Sequence, residues 1–208
     1  MKPKAVHHMS SLLAAAVLGS ASLWSPASPS AAERPASAAH TGAAEMEAQW
    51  LELGQALLPE TVIRLGEKYQ RDHPHGRHRQ AGMTILENAR KVFRAQQEAR
   101  LSTEALDDPA GDGAYRGDLV KALRGDKDAA YRIAQMYRQG THGLAKDPLR
   151  STQWLRVAAE LGNGRASWEV ANIYNRNGEM AEAARFEAKA VRDGFVIPPR
   201  LPNRGLGY

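Results

Sequence analysis

The chain has 208 residues, of which 43% are hydrophobic and 25% charged, with a formal net charge of +5. That length suits one or two modest domains, and the small positive balance is too weak to indicate a nucleic-acid partner. Cysteine is absent, which excludes a disulfide framework, thiol chemistry and a lipid on an N-terminal cysteine.

Residues 1–32 have Lys2 and Lys4, then an apolar run from Leu12 to Trp24, then small residues and prolines. This is the order of a secretory signal peptide, with Ser30 and Ala32 at the small-residue positions and cleavage before Glu33. The run is shorter than the roughly 20 apolar residues of a spanning helix. The expectation is therefore an exported chain, periplasmic or secreted, with no stable membrane span after cleavage. Cleavage would also remove two lysines and no acid, making the charge case for nucleic acid weaker still.

Residues 33–44 lack apolar periodicity and read as a flexible linker. Residues 45–106 read as an N-terminal helical segment, opening with a helix over "EMEAQWLELGQALL" that stops near Pro59. A recurring spacing follows. Val62, Leu65, Gly66 and Tyr69 sit at i, i+3, i+4 and i+7, as do Ala130, Ile133, Ala134 and Tyr137, and again Ser167, Val170, Ala171 and Tyr174. Each set lines one helix face with a small, an aliphatic, a small and a tyrosine residue.

A second amphipathic helix follows each first one. These carry Gly82, Ile85, Leu86, Ala89 and Phe93; then Ser151, Trp154, Leu155, Ala158 and Ala159; then Ala183, Phe186 and Ala190. Asp147 and Pro148 suit an N-cap and a first helical position. The glycines Gly125, Gly162 and Gly194 mark the unit ends. Repeated helix pairs that bury their faces only against neighbours are the signature of a solenoid. Residues 107–117 read as a linker, 118–197 as repeats, and 198–208 as a Pro-rich tail that is extended or packed as a cap. Phe195, Val196 and Ile197 are apolar enough to seal the last pair.

The stretch from Ala130 to Gly162 resembles the Sel-1-like repeat, a relative of the tetratricopeptide repeat. The similarity lies in Ala130, Ile133-Ala134, Tyr137, Gly140, Gly143-Leu144, Asp147, Arg150-Ser151, Trp154, Ala158-Ala159 and Gly162. It departs by Ala134 where the family has glycine and by one extra residue in "GTHG". The unit from Gly162 to Gly194 has a shorter turn without the aspartate. The resemblance implies an all-α fold, a right-handed superhelix of antiparallel helix pairs, serving protein contacts rather than catalysis.

If the small and aliphatic positions face inward, the tyrosine register stacks Arg64 with Arg132 and Glu169. It likewise stacks Glu67 with Gln135 and Asn172, and Gln70 with Arg138 and Asn175. From these, Arg64, Arg132, Gln135, Arg138, Glu169, Asn172 and Asn175 are the candidate partner-binding residues. Arginine forks and amides of this kind can hold an extended peptide by its backbone or carboxylates. The other reading is a solvated face.

"RDHPHGRHR" carries His73, His75 and His78, and a short His-rich tract can supply metal ligands. Its three arginines oppose a divalent cation, and Pro74 and Gly76 make a turn there, so no metal site is assigned. "DDPAGDGAYRGD" fails the calcium-loop pattern at Ala110 and Leu119. No HExxH, GxSxG, SxxK or P-loop motif occurs, so no catalytic residue and no cofactor are assigned. Trp154 belongs in the core, Tyr131 and Trp168 are half exposed, and Trp50 caps the end of the superhelix. The role expected is an envelope scaffold binding a protein or peptide. The alternatives are an envelope hydrolase on peptidoglycan or polysaccharide, whose carboxylates need only meet in space, and a metal-binding protein using the His tract.

Overall fold

The computed structural model describes residues 34–103, 106 and 108–198, and among them eight helices and no strand. These are α1 (Arg34–Gln55), α2 (Pro59–Asp72), α3 (Arg79–Ala99), α4 (Gly113–Leu123), α5 (Lys127–Gln139), α6 (Pro148–Glu160), α7 (Gly164–Asn177) and α8 (Met180–Arg192). The compact unit begins at His40. The fold class is all-α, as the periodicity predicts. The proposed signal segment lies outside the described residues, as does the tail beyond Pro198.

Four successive helices start on an Asx residue. Asp112 accepts from the amides of Ala114 and Tyr115, and Asp126 from those of Asp128 and Ala129. Asp147 accepts from the Arg150 amide and Asn163 from the Ala166 amide. Each cap satisfies donors that the helix itself leaves orphaned, for about 1 kcal/mol apiece. Gly125 and Gly162, at φ 98° and 97°, make the left-handed turns that lead from α4 into α5 and from α6 into α7.

The helices pack as hairpins, α2 with α3, α5 with α6 and α7 with α8, and α6 packs in turn on α7. The register residues face inward. Ala130, Ile133, Ala134, Trp154, Ala158, Ala159 and Ala171 are all fully buried. One core cluster runs from Val92 of α3 to Phe186 of α8, and a smaller one joins Leu53, Val62, Leu65 and Ala89. Lys127 Nζ reaches the Gly162 carbonyl at 3.1 Å, and Asn163 Nδ2 reaches Asp128 Oδ1 at 2.8 Å. These bonds hold the starts of α5 and α7 side by side.

Three expectations are corrected. Residues 34–44 are helical rather than a linker, because they are rich in alanine, the best helix former, and Pro35 falls in the first turn where proline is tolerated. The predicted linker 107–117 contains the first turns of α4, with Asp112 as its cap and Tyr115 buried. Of the three residues expected to seal the last pair, Phe195 packs on Trp168 with ring centroids 5.5 Å apart, whereas Val196 is 86% exposed.

The hairpin α2–α3 is also out of step with the later pairs. α4 packs on α5, while α3 packs along α6. Lys91 Nζ of α3 bonds the Leu161 carbonyl at 3.2 Å, and Gln153 Nε2 of α6 bonds the Arg100 carbonyl at 2.7 Å. The place beside α5 that the register gave to α2 is therefore taken by α4. Trp50 meets Tyr69 and His78 at the α1 end of the molecule.

Candidate functional site

A groove of about 840 Å³ opens where the C-terminal end of α5, the N-terminal half of α6 and one face of α7 meet. Arg138 comes from α5, Thr152 and Leu155 from α6, and Arg165, Trp168 and Asn172 from α7. Two chain features set this geometry. The buried stripe Ser167, Val170 and Ala171 turns the opposite face of α7 outward, and the Asp147 cap with Pro148 fixes where α6 starts.

Glu169 is the carboxylate of the groove, with a side chain only 15% exposed. The Tyr131 hydroxyl donates to its Oε1 at 2.6 Å, Arg138 Nη1 donates to its Oε2 at 2.9 Å, and Arg165 Nε lies 3.4 Å away. Burial, then the hydrogen bond to Glu169, pushes the Tyr131 hydroxyl up to about 12, so it stays a donor throughout the neutral range. The guanidinium of Arg165 also lies 5.5 Å from the centre of the Tyr131 ring, a cation–π contact. Glu169 thus anchors two arginines at the groove wall. The side chains of Asn172 and Arg176 make no hydrogen bond or ion pair among the described residues, which leaves their donors facing the groove.

Of the sequence-derived candidates, the structure brings Arg138, Glu169, Asn172 and Asn175 together at this groove. Asn175 is partly committed, since its amide donates to Glu187 Oε1 at 3.1 Å. The remaining three are placed elsewhere. Arg64 lies on α2, which does not pack on α5, so its stacking with Arg132 fails. Arg132 is instead held by Asp118 of α4 in a two-pronged pair, at 2.8 Å from Nε and 2.7 Å from Nη2. That bond lifts the Arg132 guanidinium above its ordinary value. Gln135 is half-buried and accepts from Arg138. The other two predicted stacks lose their α2 members for the same reason: Glu67 pairs with Arg90 at 2.8 Å, and Gln70 donates to the Arg79 carbonyl at 3.0 Å.

Arg165, Trp168 and Arg176 were not among the candidates. The signal for them was on the same helix, since 165, 168, 172 and 176 advance by three, four and four residues and so share one face with Asn172.

The His-rich turn is spent on structure. His78 stacks on Trp50 at 4.4 Å with the ring planes 7° apart, and its Nε2 lies 3.2 Å from Glu47 Oε1. Arg77 pairs with the same carboxylate at 2.6 Å and holds it below the usual carboxylate range. His73 packs on Tyr69, and His75 is exposed. Among the described residues, no three His, Asp or Glu side chains converge on a point that could hold a metal ion.

The acidic residues of 108–118 also disperse. Asp108 accepts from Arg150 Nη1 at 2.8 Å, Asp112 caps α4 and pairs with His142 at 3.1 Å, and Asp118 pairs with Arg132. No protein-family model, curated protein or solved structure matches this chain.

Proposed function

We propose that this chain is an exported, non-catalytic scaffold that holds a segment of another protein in the groove between α5, α6 and α7. One observation carries the reading. Asn172 and Arg176 present unsatisfied donors into an open groove whose walls, Arg138, Glu169 and Arg165, are already locked to one another. A preset wall with free donors favours binding, because little ordering remains when the ligand arrives.

Helix-pair stacks of this type use such surfaces for protein contacts. The Sel-1-like pattern from Ala130 to Gly162 supports the same class of role, since its positions supply the buried core, the Asp147 cap and the Gly162 turn. Export rests on the leader-like order of residues 1–32 and points to the periplasm. No helix among the described residues is long and apolar enough to cross a membrane.

The test is a crosslinked pull-down from the native envelope, with the full chain and an Arg165→Ala/Asn172→Ala/Arg176→Ala variant side by side. None of the three side chains belongs to the buried core, so helicity and melting temperature should match the parent. The expected result is a partner captured by the parent and lost by the variant. Equal capture by both proteins, with both folded, refutes the groove as the binding face.

A further inference from the structure

We propose that the groove takes an extended acidic peptide segment of about five to six residues, with a carboxylate near each end and an apolar or aromatic side chain between them. The inference rests on the scaffold reading above and specifies its ligand.

Charge gives the sign. Three arginines line the groove, Arg138, Arg165 and Arg176, against one carboxylate, Glu169. Glu169 is shared between Arg138 and Arg165, so it neutralises one charge and leaves a positive excess. Arg176 contributes a whole further charge, because it has no acidic partner. A basic peptide would meet repulsion here, whereas a carboxylate can take two parallel bonds from an arginine fork.

Spacing gives the length. Arg165, Trp168, Asn172 and Arg176 run along one face of α7, and the 11 steps between the two arginines cover about 16 Å at 1.5 Å each. An extended chain advances about 3.3 Å per step, so five residues cover about 13 Å and six about 16 Å, and a segment of five to six residues matches that span. The middle of the groove sets the central contacts. Trp168 is half-buried against Phe195 and offers a fixed apolar ring, and Leu155 lies on the facing wall. The Asn172 amide, next along the helix, can bond the backbone of an extended peptide without reading its side chains.

The experiment is fluorescence anisotropy with the full chain and labelled peptides whose central residues read Glu-Ala-Leu-Ala-Glu or Lys-Ala-Leu-Ala-Lys, flanked by Gly and Ser. The acidic peptide should bind at least about tenfold more tightly than the basic one, and its binding should weaken as salt rises. Arg176→Gln should cost the acidic peptide about tenfold, and Arg176→Glu should reverse the preference. Arg176 is exposed and unpaired, so neither change threatens the fold.

Equal or tighter binding of the basic peptide, or no binding of the acidic one at millimolar concentration, overturns the proposal. If the acidic peptide fails while the pull-down partner is still lost in the triple variant, the scaffold reading stands without this ligand. If the partner is retained as well, both fall.

Discussion

Replacing Trp154 by alanine is expected to destabilise the protein by about 3–4 kcal/mol, a large share of the 5–15 kcal/mol that holds a typical domain. Trp154 is the largest fully buried side chain among the described residues and belongs to the cluster that joins α3 to α8. That cluster is rich in short side chains. Ala130, Ala134, Ala158 and Ala159 are fully buried in the same cluster, and alanines cannot swing in to fill an indole-sized void. One effect works the other way, since the buried indole Nε1 has no hydrogen-bond partner and deleting it removes an unsatisfied donor. Trp154→Phe keeps most of the packing, removes that donor, and should cost only about 1–2 kcal/mol. Urea unfolding followed by circular dichroism measures both changes. A loss below about 1 kcal/mol for Trp154→Ala would mean that the core does not close around this ring.

The second large effect is expected at Gly143. Its φ is +81°, and a Cβ added there would lie 2.1 Å from the Ala110 carbonyl oxygen. A left-handed non-glycine residue costs about 1–2 kcal/mol by itself, and forcing backbone apart adds about 1–3 kcal/mol. Gly143→Ala should therefore destabilise by about 2–5 kcal/mol. The loop before α6 and the segment before α4 touch at this point, where the Asp112 amide donates to the His142 carbonyl at 2.9 Å. The substitution should thus open both segments together, read as faster amide exchange at Asp112 and across the Thr141–Leu144 turn. Parent-like stability and exchange would show that the two segments are not in contact.

Much of the fold was legible because local rules wrote it. The i, i+3, i+4, i+7 spacing that ends at Tyr137 assigned the buried face of α5, and Asp147 with Pro148 marked where α6 starts. Helix α4 was legible in part. Tyr115, Leu119, Ala122 and Leu123 have helical spacing and Asp112 is a cap residue, but the run of glycine and aspartate around them reads as a loop. The stretch 34–44 was misread for the opposite reason. Its sequence has no apolar periodicity, so pattern is silent there, and only alanine content speaks for the helix.

The candidate site was legible only where the register was local. Arg138, Glu169 and Asn172 share the groove because α5 and α7 are consecutive first helices, with their starts joined by Asn163 and Lys127. Arg64 failed because nothing in its own helix says what stacks on α5. That choice is made by α4, which brings Asp118 to Arg132. Asp118 in turn shows why Arg132 is a poor ligand contact: its guanidinium already has both prongs on a carboxylate that is only 11% exposed. The three histidines illustrate the same limit. Composition allowed ligands but gave no reason for them to converge, and only the folded turn at Pro74 and Gly76 shows His78 on Trp50 and His75 exposed.

The most direct test of the scaffold reading places a photo-crosslinking amino acid at Asn172, inside the groove, and separately at Arg94, an exposed position on α3. Both variants are produced in the native cells, irradiated, and compared for crosslinked products. The groove position should give a discrete adduct with another protein, diminished by Arg176→Glu, and the α3 position should give none. An adduct from Arg94 alone, or equal adducts from both positions that Arg176→Glu leaves unchanged, would contradict a partner seated between α5, α6 and α7.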